Sequence, residues 1–500
     1  MTAAPSRTAP ADTRGIGRFG TLALLGWVAV VAGVVPFLLL WLLVQRRWAP
    51  LEGLDGEVAA RLNDEVSGSP LLVTVLSAVT DLGGTGTAVL VLSLATAFLL
   101  IRRRRRLAAF VAVSGLGLAV LGPVTKAIVD RARPVVESPL VETPSNASFP
   151  SGHAMTALVT WGVLLLVALP GVRRGLRPWL VAGTVLLVVA VGFTRLALGV
   201  HFVSDVLAGW ALGAAWLAVT TAAFRGWQHE TGRRPGQATD PLDVGPDEAP
   251  RLAPGTGPED HRLRAAALPL AGVALVLAAA LIGLGALVTA APPDGWLQRF
   301  DRSVVAWFAG HRGEPLNSVM DTVATLGGTP AVISVGLALA TLSLAVTARW
   351  RPVVFVVVTL VGELLLYLVV SRVVDRPRPS VPDLTGDLPQ AASWPSGHVA
   401  AAAAVYGALA AVVVVHGRAR RRWSVLAVPL LLAPAVAVSR VHAAAHHPTD
   451  VLAGLLTGGL WVLACTLLLL RPRPDRPTRA GPSPHTAPLD PTTDEIRRNP

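Results

Sequence analysis

The sequence predicts an all-α integral membrane protein, built from two parallel six-helix transmembrane bundles with about 12 transmembrane helices in all. Three observations predict it. First, the chain is 52% hydrophobic and 15% charged, with a mean hydropathy of +0.57, whereas a soluble globular domain carries about 25% charged residues. Second, Leu22–Val44, Ala266–Ala290 and Val451–Leu470 are almost uninterrupted apolar runs. Each is close to the ~20 residues a helix needs to cross a bilayer. Third, the polar residues that interrupt the apolar runs of the first half recur at constant spacing in the second, the mark of a duplicated unit.

Residues 1–20 read as a cytoplasmic tail. The first unit covers 21–224, with spans at 21–44, 85–101, 107–128, 152–170, 179–198 and 203–223. Its first run is too long for the core of a cleaved signal peptide, and no small-residue cleavage site follows at Gln45–Pro50, so it is expected to be retained. Residues 225–263 are rich in Pro, Gly and charge and read as a disordered cytoplasmic linker. The second unit covers 264–470, with spans at 264–290, 330–347, 352–370, 398–415, 424–440 and 450–470, and 471–500 read as a disordered cytoplasmic tail. Between the first two spans of each unit lies a shorter mixed segment. It carries Leu54–Asp55 and Leu82–Gly84 in one copy, Phe300–Asp301 and Leu326–Gly328 in the other. These segments are expected to lie along the interface or to cap the bundle.

Charge sets the expected orientation. Arg102–Arg106, then Arg173, Arg174 and Arg177, fall between spans, as do Arg349 and Arg351, then Arg418 and Arg420–Arg422. Basic loops stay in the cytoplasm. The loops around Arg133–His153 and Arg378–His398 are then extracytoplasmic, with both termini and the linker inside. The net charge of +12 is thereby assigned to topology, and no nucleic-acid partner is expected. Cys465 is the single cysteine, so neither an intrachain disulfide nor a cysteine metal site is available.

Ionisable residues at span ends are costly and mark function. Three clusters stand out in the first unit: Lys126 with Asp130, Arg131, Arg133 and Pro134; Pro150–His153; and Arg195 with His201 and Asp205. Lys126, Arg133 and Arg195 suit an anion with several oxygens, such as phosphate. Ser151 and Gly152 open a span, where free backbone N–H groups favour anions. His201 and Asp205 are four apart and share a helical face, so the carboxylate can set the imidazole tautomer. His201 is then a candidate nucleophile and His153 a candidate acid for the leaving oxygen. No carboxylate cluster suited to Mg²⁺ or Ca²⁺ accompanies them; no metal or cofactor is expected. Lys126 is the one lysine in a chain that otherwise uses arginine, which favours a phosphate role over a simple interfacial anchor.

These residues resemble the motifs of the type 2 phosphatidic acid phosphatase family, related to vanadium haloperoxidases: K-x6-RP, PSGH and SR-x5-H-x3-D. Here they read Lys126-x6-Arg133-Pro134, Pro150-Ser151-Gly152-His153 and Thr194-Arg195-x5-His201-x3-Asp205, with Thr194 replacing Ser. The resemblance implies a six-helix unit and metal-independent hydrolysis of a membrane lipid phosphate through a phosphohistidine. It implies His201 as nucleophile, Asp205 as its partner and His153 as acid, with Lys126, Arg133, Ser151, Gly152 and Arg195 holding phosphate. Substrates consistent with the family include undecaprenyl pyrophosphate, phosphatidate and phosphatidylglycerol phosphate. A lipid phosphotransferase using the same intermediate, or a non-catalytic transporter or scaffold, are the alternatives. The sequence does not give the oligomeric state.

In the second unit, 245 residues on, the counterparts are Pro395, Ser396, Gly397, His398, Ser439, Arg440, His446 and Asp450. His446, His398 and Asp450 are expected to be catalytic, and Arg378, Ser396, Gly397 and Arg440 to bind phosphate. Ser371 stands at the lysine position, so this site is expected to be weaker or to read a different headgroup. His442 and His447 are expected to be bystanders at the outer surface.

Overall fold

The computed structural model describes residues 13–136, 140–141, 145–230, 260–385, 393–417 and 419–470. Among them the first unit comprises α1 (Thr13–Gln45), α2 (Ala49–Ser67), α3 (Pro70–Asp81), α4 (Thr85–Ile101), α5 (Arg105–Val129), α6 (Gly152–Ala168), α7 (Arg177–Ala197) and α8 (Val203–Glu230). The second comprises α9 (Asp260–Thr289), α10 (Trp296–Gly310), α11 (Leu316–Thr325), α12 (Thr329–Thr347), α13 (Arg351–Val373), α14 (Gly397–His416), α15 (Ala427–His442) and α16 (Pro448–Cys465). Among the described residues, ten stretches are long and apolar enough to cross a membrane. The bent pairs of Val30–Gln45 with Ala49–Ser67 (93°) and Pro70–Asp81 with Thr85–Ile101 (41°) raise the number to as many as twelve. The protein is therefore all-α and multi-pass. Helix α1 begins at Thr13, ahead of the expected start at 21, and most of the expected linker and all of the tail 471–500 lie outside the described residues.

Glycine and tryptophan bind the spans of each unit together. On α8 the Trp216 indole donates to the Ser114 carbonyl of α5 at 2.9 Å. Gly117 leaves room for it, since a Cβ there would lie 2.1 Å from the ring. The second unit repeats the device, with Trp461 of α16 donating to the Thr359 carbonyl of α13 at 3.0 Å beside Gly362. In a hydrocarbon solvent an indole N–H needs such a partner, and close packing supplies the cohesion between helices. The two units meet where α4 packs on α12.

The mixed segments fold into α2–α3 and α10–α11, and their inward residues reach the polar end of the bundle. Asp55 of α2 and Asp301 of α10 are 1% and 0% exposed. Gly83 and Gly327 sit in the turns that follow, where an added Cβ would lie 2.9 Å from the His153 carbonyl and 2.5 Å from the His398 carbonyl respectively. These glycines are therefore close-approach positions that set α4 and α12 against the histidine-bearing helices.

Candidate active site

Three chain segments converge at one end of α5, α6, α7 and α8. Helix α5 ends on Asp130 in the left-handed conformation (φ 44°), which turns the chain so that Arg131 and Arg133 lead back over the bundle. Helix α6 starts at Gly152, capped by the Ser151 hydroxyl, which accepts from the Ala154 amide at 3.5 Å. The Ser151 amide itself donates to the Asp205 carbonyl at 2.9 Å, joining the starts of α6 and α8. His201 lies in the turn between α7 and α8, 2% exposed.

Hydrogen-bond roles specify the His201 tautomer. Its Nε2 is 3.2 Å from Arg133 Nη1, and a guanidinium can only donate, so Nε2 carries a lone pair. Nδ1 then bears the proton and faces Asp205 Oδ2 at 3.4 Å. Burial, opposed by Asp205, depresses the imidazole to a pKa of about 4, leaving it neutral at physiological pH. Arg133 also donates to the Asn146 side chain at 2.6 Å and the Val200 carbonyl at 2.8 Å, and burial lowers its own pKa. Lys126 Nζ reaches the Ala147 carbonyl at 2.7 Å and Asn146 Oδ1 at 3.2 Å. Arg195 donates to Thr80 Oγ1 at 2.9 Å, while its buried Nε has no hydrogen-bond partner among the described residues. His153 lies within electrostatic reach of Arg195, His201, Lys126 and Arg133. The expected catalytic and phosphate-binding residues of the first unit are thus gathered at one place, with the His201 Nε2 lone pair turned toward the Arg133 guanidinium.

Behind them is a layer that sequence reading left without a role. Arg131 Nη1 donates to Asp205 Oδ1 at 2.7 Å and Nη2 to Asp55 Oδ2 at 2.8 Å. Its guanidinium stacks 4.2 Å over Phe202. Asp55 accepts from the Ser204 amide at 3.0 Å and from its hydroxyl. The buried Ser148 hydroxyl donates to Asp205. Ser148 and Arg131 recur as Ser393 and Arg376 at the same 245-residue offset, and Asp55 and Asp301 occupy the two mixed segments. The repeat comparison carried that signal.

The second unit keeps this layer. Arg376 bridges Asp450 and Asp301, the latter at 2.7 Å, and Asp301 accepts from Thr449 Oγ1 at 2.6 Å. The catalytic-type histidine differs. His446 Nδ1 donates to the Ser393 carbonyl at 2.8 Å and stands 3.9 Å from Asp450. A carbonyl only accepts, so the same tautomer results from a different partner, and burial lowers the His446 pKa. Arg378 donates to the Ala445 carbonyl at 2.5 Å, and the buried Ser396 hydroxyl and Arg440 Nε have no hydrogen-bond partner among the described residues. Two sequence expectations are corrected here. His447 is no bystander: its Nδ1 pairs with Asp450 at 3.2 Å. His442 is buried, 1% exposed, and its Nε2 meets Asn317 Oδ1 at 2.9 Å. Both lie too close to structural partners to be solvated surface groups.

Comparison with known proteins gives the family of the chain. The PAP2 superfamily profile matches residues 105–228 and again 352–474. Phosphatidylglycerophosphatase B of Bacillus subtilis is 41% identical over 98 residues, 19% of this chain and 46% of that protein. An undecaprenyl-diphosphatase of Sulfolobus acidocaldarius is 35% identical over 128 residues, 25% of this chain and 58% of that protein. The chain thus covers about half the length of these two relatives. Decaprenylphosphoryl-5-phosphoribose phosphatase of Mycobacterium tuberculosis is 35% identical over 151 residues, 29% of this chain and 76% of that protein. The crystal structure of a transmembrane PAP2 type phosphatidylglycerolphosphate phosphatase from Bacillus subtilis aligns with 41% of this chain and 98% of its own, at 25% identity and a TM-score of 0.35.

Proposed function

The chain belongs to the PAP2 superfamily, and on that premise we propose that it is a membrane phosphatase for lipid phosphates and diphosphates. Its two catalytic units, 21–224 and 264–470, act through phosphohistidine intermediates at the extracytoplasmic face, with both termini and the linker in the cytoplasm. The observation that carries this reading is the lone pair on His201 Nε2, held 3.2 Å from the Arg133 guanidinium. A phosphoryl group that takes up the arginine's hydrogen bonds would stand beside that nitrogen.

The chemistry follows from the residues. Nε2 attacks phosphorus and the P–O bond to the lipid breaks. His153 gives its proton to the leaving oxygen. Lys126, Arg133 and Arg195, with the backbone N–H groups at the start of α6, hold the non-bridging oxygens and stabilise the charge that develops there. As Nε2 becomes bonded, the imidazolium Nδ1–H strengthens its bond to Asp205, which Arg131 and Ser148 hold in place. Water, deprotonated by His153, then attacks the phosphohistidine and releases phosphate, which returns both histidines to their starting state. The cations supply the electrostatic work, and no metal ion is assigned a role.

The test is phosphate release in detergent with EDTA present, from undecaprenyl diphosphate and phosphatidate. Wild type, His201→Ala, His446→Ala and the double variant are compared. The expected result is EDTA-resistant release that the double variant lacks. Release that survives in the double variant, or none from wild type on any lipid, would overturn the reading.

A further inference from the structure

The two pockets differ in charge and in room at corresponding places. In the first, Lys126 joins Arg133 on Asn146, and a Cβ added at Gly152 would meet nothing within 4 Å. At the corresponding sequence positions 245 residues on, Ser371 stands for the lysine and Ala391 for the asparagine. One turn before Ser371 on α13 stands Tyr367, where the first unit has Gly122. Residues four apart share a helical face, so Tyr367 belongs to the face that Lys126 occupies in the first copy. Its ring lies against the start of α14: a Cβ on Gly397 would fall 3.0 Å from Cε2 and 3.1 Å from Cζ. It also lies within electrostatic reach of Arg378. Gly122 packs near Met155, and Met155 is matched by the smaller Ala400.

The second pocket is nonetheless prepared for an anion. The Ser396 hydroxyl and Arg440 Nε are buried without a hydrogen-bond partner among the described residues, on residues that are 0% and 5% exposed. It therefore offers two arginines, a serine and a phenol where the first offers two arginines, a lysine and open space at the start of α6.

We propose that Tyr367 makes the second pocket selective for a lipid phosphomonoester, while the first, open and with a third cation, also takes a lipid diphosphate. A diphosphate carries more charge and a second phosphoryl group. The lost lysine removes a charge-assisted contact for the former, and the Tyr367 ring occupies the space for the latter. This inference rests on the phosphatase reading for its turnover arm, though its binding arm does not.

The turnover arm uses His446→Ala, in which only the first unit works, and His201→Ala, in which only the second does. Farnesyl diphosphate and farnesyl phosphate are the paired substrates. The ratio of kcat/KM for diphosphate over monophosphate is expected to be at least ~10-fold higher for the first unit, the size of one lost charge-assisted hydrogen bond. Placing the first unit's residues in the second (Tyr367→Gly, Ser371→Lys and Ala400→Met in the His201→Ala chain) is expected to raise the ratio toward the first unit's value. Equal ratios, or a ratio the exchange does not move, would overturn the proposal. The binding arm uses titration calorimetry on the His201→Ala, His446→Ala chain in detergent. Two orthophosphates but one pyrophosphate per chain are expected, with a second pyrophosphate admitted by the same exchange. Equal stoichiometries for the two anions would overturn the proposal. If wild type releases no phosphate yet these stoichiometries hold, the proposed hydrolysis fails and the selectivity stands.

Discussion

Asp55→Asn, made in the His446→Ala chain so that only the first unit reports, tests whether the layer behind His201 positions the nucleophile. Asp55 is 1% exposed and accepts from Arg131 Nη2 at 2.8 Å, from the Ser204 amide at 3.0 Å and from the Ser204 hydroxyl. Asparagine keeps the shape and one carbonyl acceptor but not the charge. Removing one member of a buried ion pair costs about 3–5 kcal/mol, and the isosteric change belongs at the lower end. Arg131 retains its bond to Asp205 at 2.7 Å, so only part of the loss reaches the imidazole. If that part is about 1.4 kcal/mol, kcat falls about tenfold. KM should hardly move, because Arg131 grips Asp205 rather than the phosphate. Initial rates of phosphate release give kcat and KM, and the rate of thermal inactivation in detergent reads the stability cost. A kcat within about twofold of the parent, with unchanged inactivation, would refute the reasoning, since about 0.4 kcal/mol would then be all that the charge contributes.

Three further outcomes are expected. Ser148→Ala removes a buried donor to Asp205 and should cost about 1–3 kcal/mol, visible as lower kcat at nearly constant KM; a rise in KM alone would assign Ser148 to substrate binding instead. With a folded pKa of about 4 against an ordinary 6.5, His201 binds fewer protons than in the unfolded chain between those values, so its contribution to stability is full above 6.5 and is lost as pH falls toward 4. The acid limb of activity in the His446→Ala chain should accordingly have its midpoint near 4, and a midpoint near 6.5 would show the imidazole to be solvated. Gly83→Ala places a Cβ 2.4 Å from Val191 and 2.9 Å from the His153 carbonyl; overpacking of this kind costs about 1–3 kcal/mol, and it should slow release of the lipid by displacing His153. Full activity in that variant would mean the α3–α4 turn yields freely.

Much of this was legible in the sequence because the membrane enforces it. Long apolar runs have few alternatives to spanning helices, and polar residues at their ends stand out against them. The four-residue spacing of His201 and Asp205, and of their copies, made the centre of the site readable, although His201 lies in the turn ahead of α8 and not on the helical face the spacing suggests. Asp55 was not readable in the same way. It lies in a mixed segment of modest hydropathy, and its role depends on α2 folding back across 76 residues of chain to Arg131, which no local pattern encodes. The pairing of His447 rather than His446 with Asp450 was hidden for another reason. At three and four residues' spacing both imidazoles are within reach, and only the placement of the Ser393 carbonyl decides between them. Tyr367 escaped notice because its counterpart is a glycine, and a missing lysine draws attention to its own position, not to the one a turn away.

The packing of α4 on α12 joins two copies of one unit that a single chain has made permanently unequal. In a homodimer every substitution appears twice, once in each subunit, so both pockets must tolerate it. Here a change such as glycine to tyrosine is confined to one copy, and the corresponding position of the other keeps its glycine. Covalent tandem arrangement thus lifts the symmetry constraint on divergence. It also fixes the two sites at equal numbers in the same membrane, however weakly the units would associate if separated.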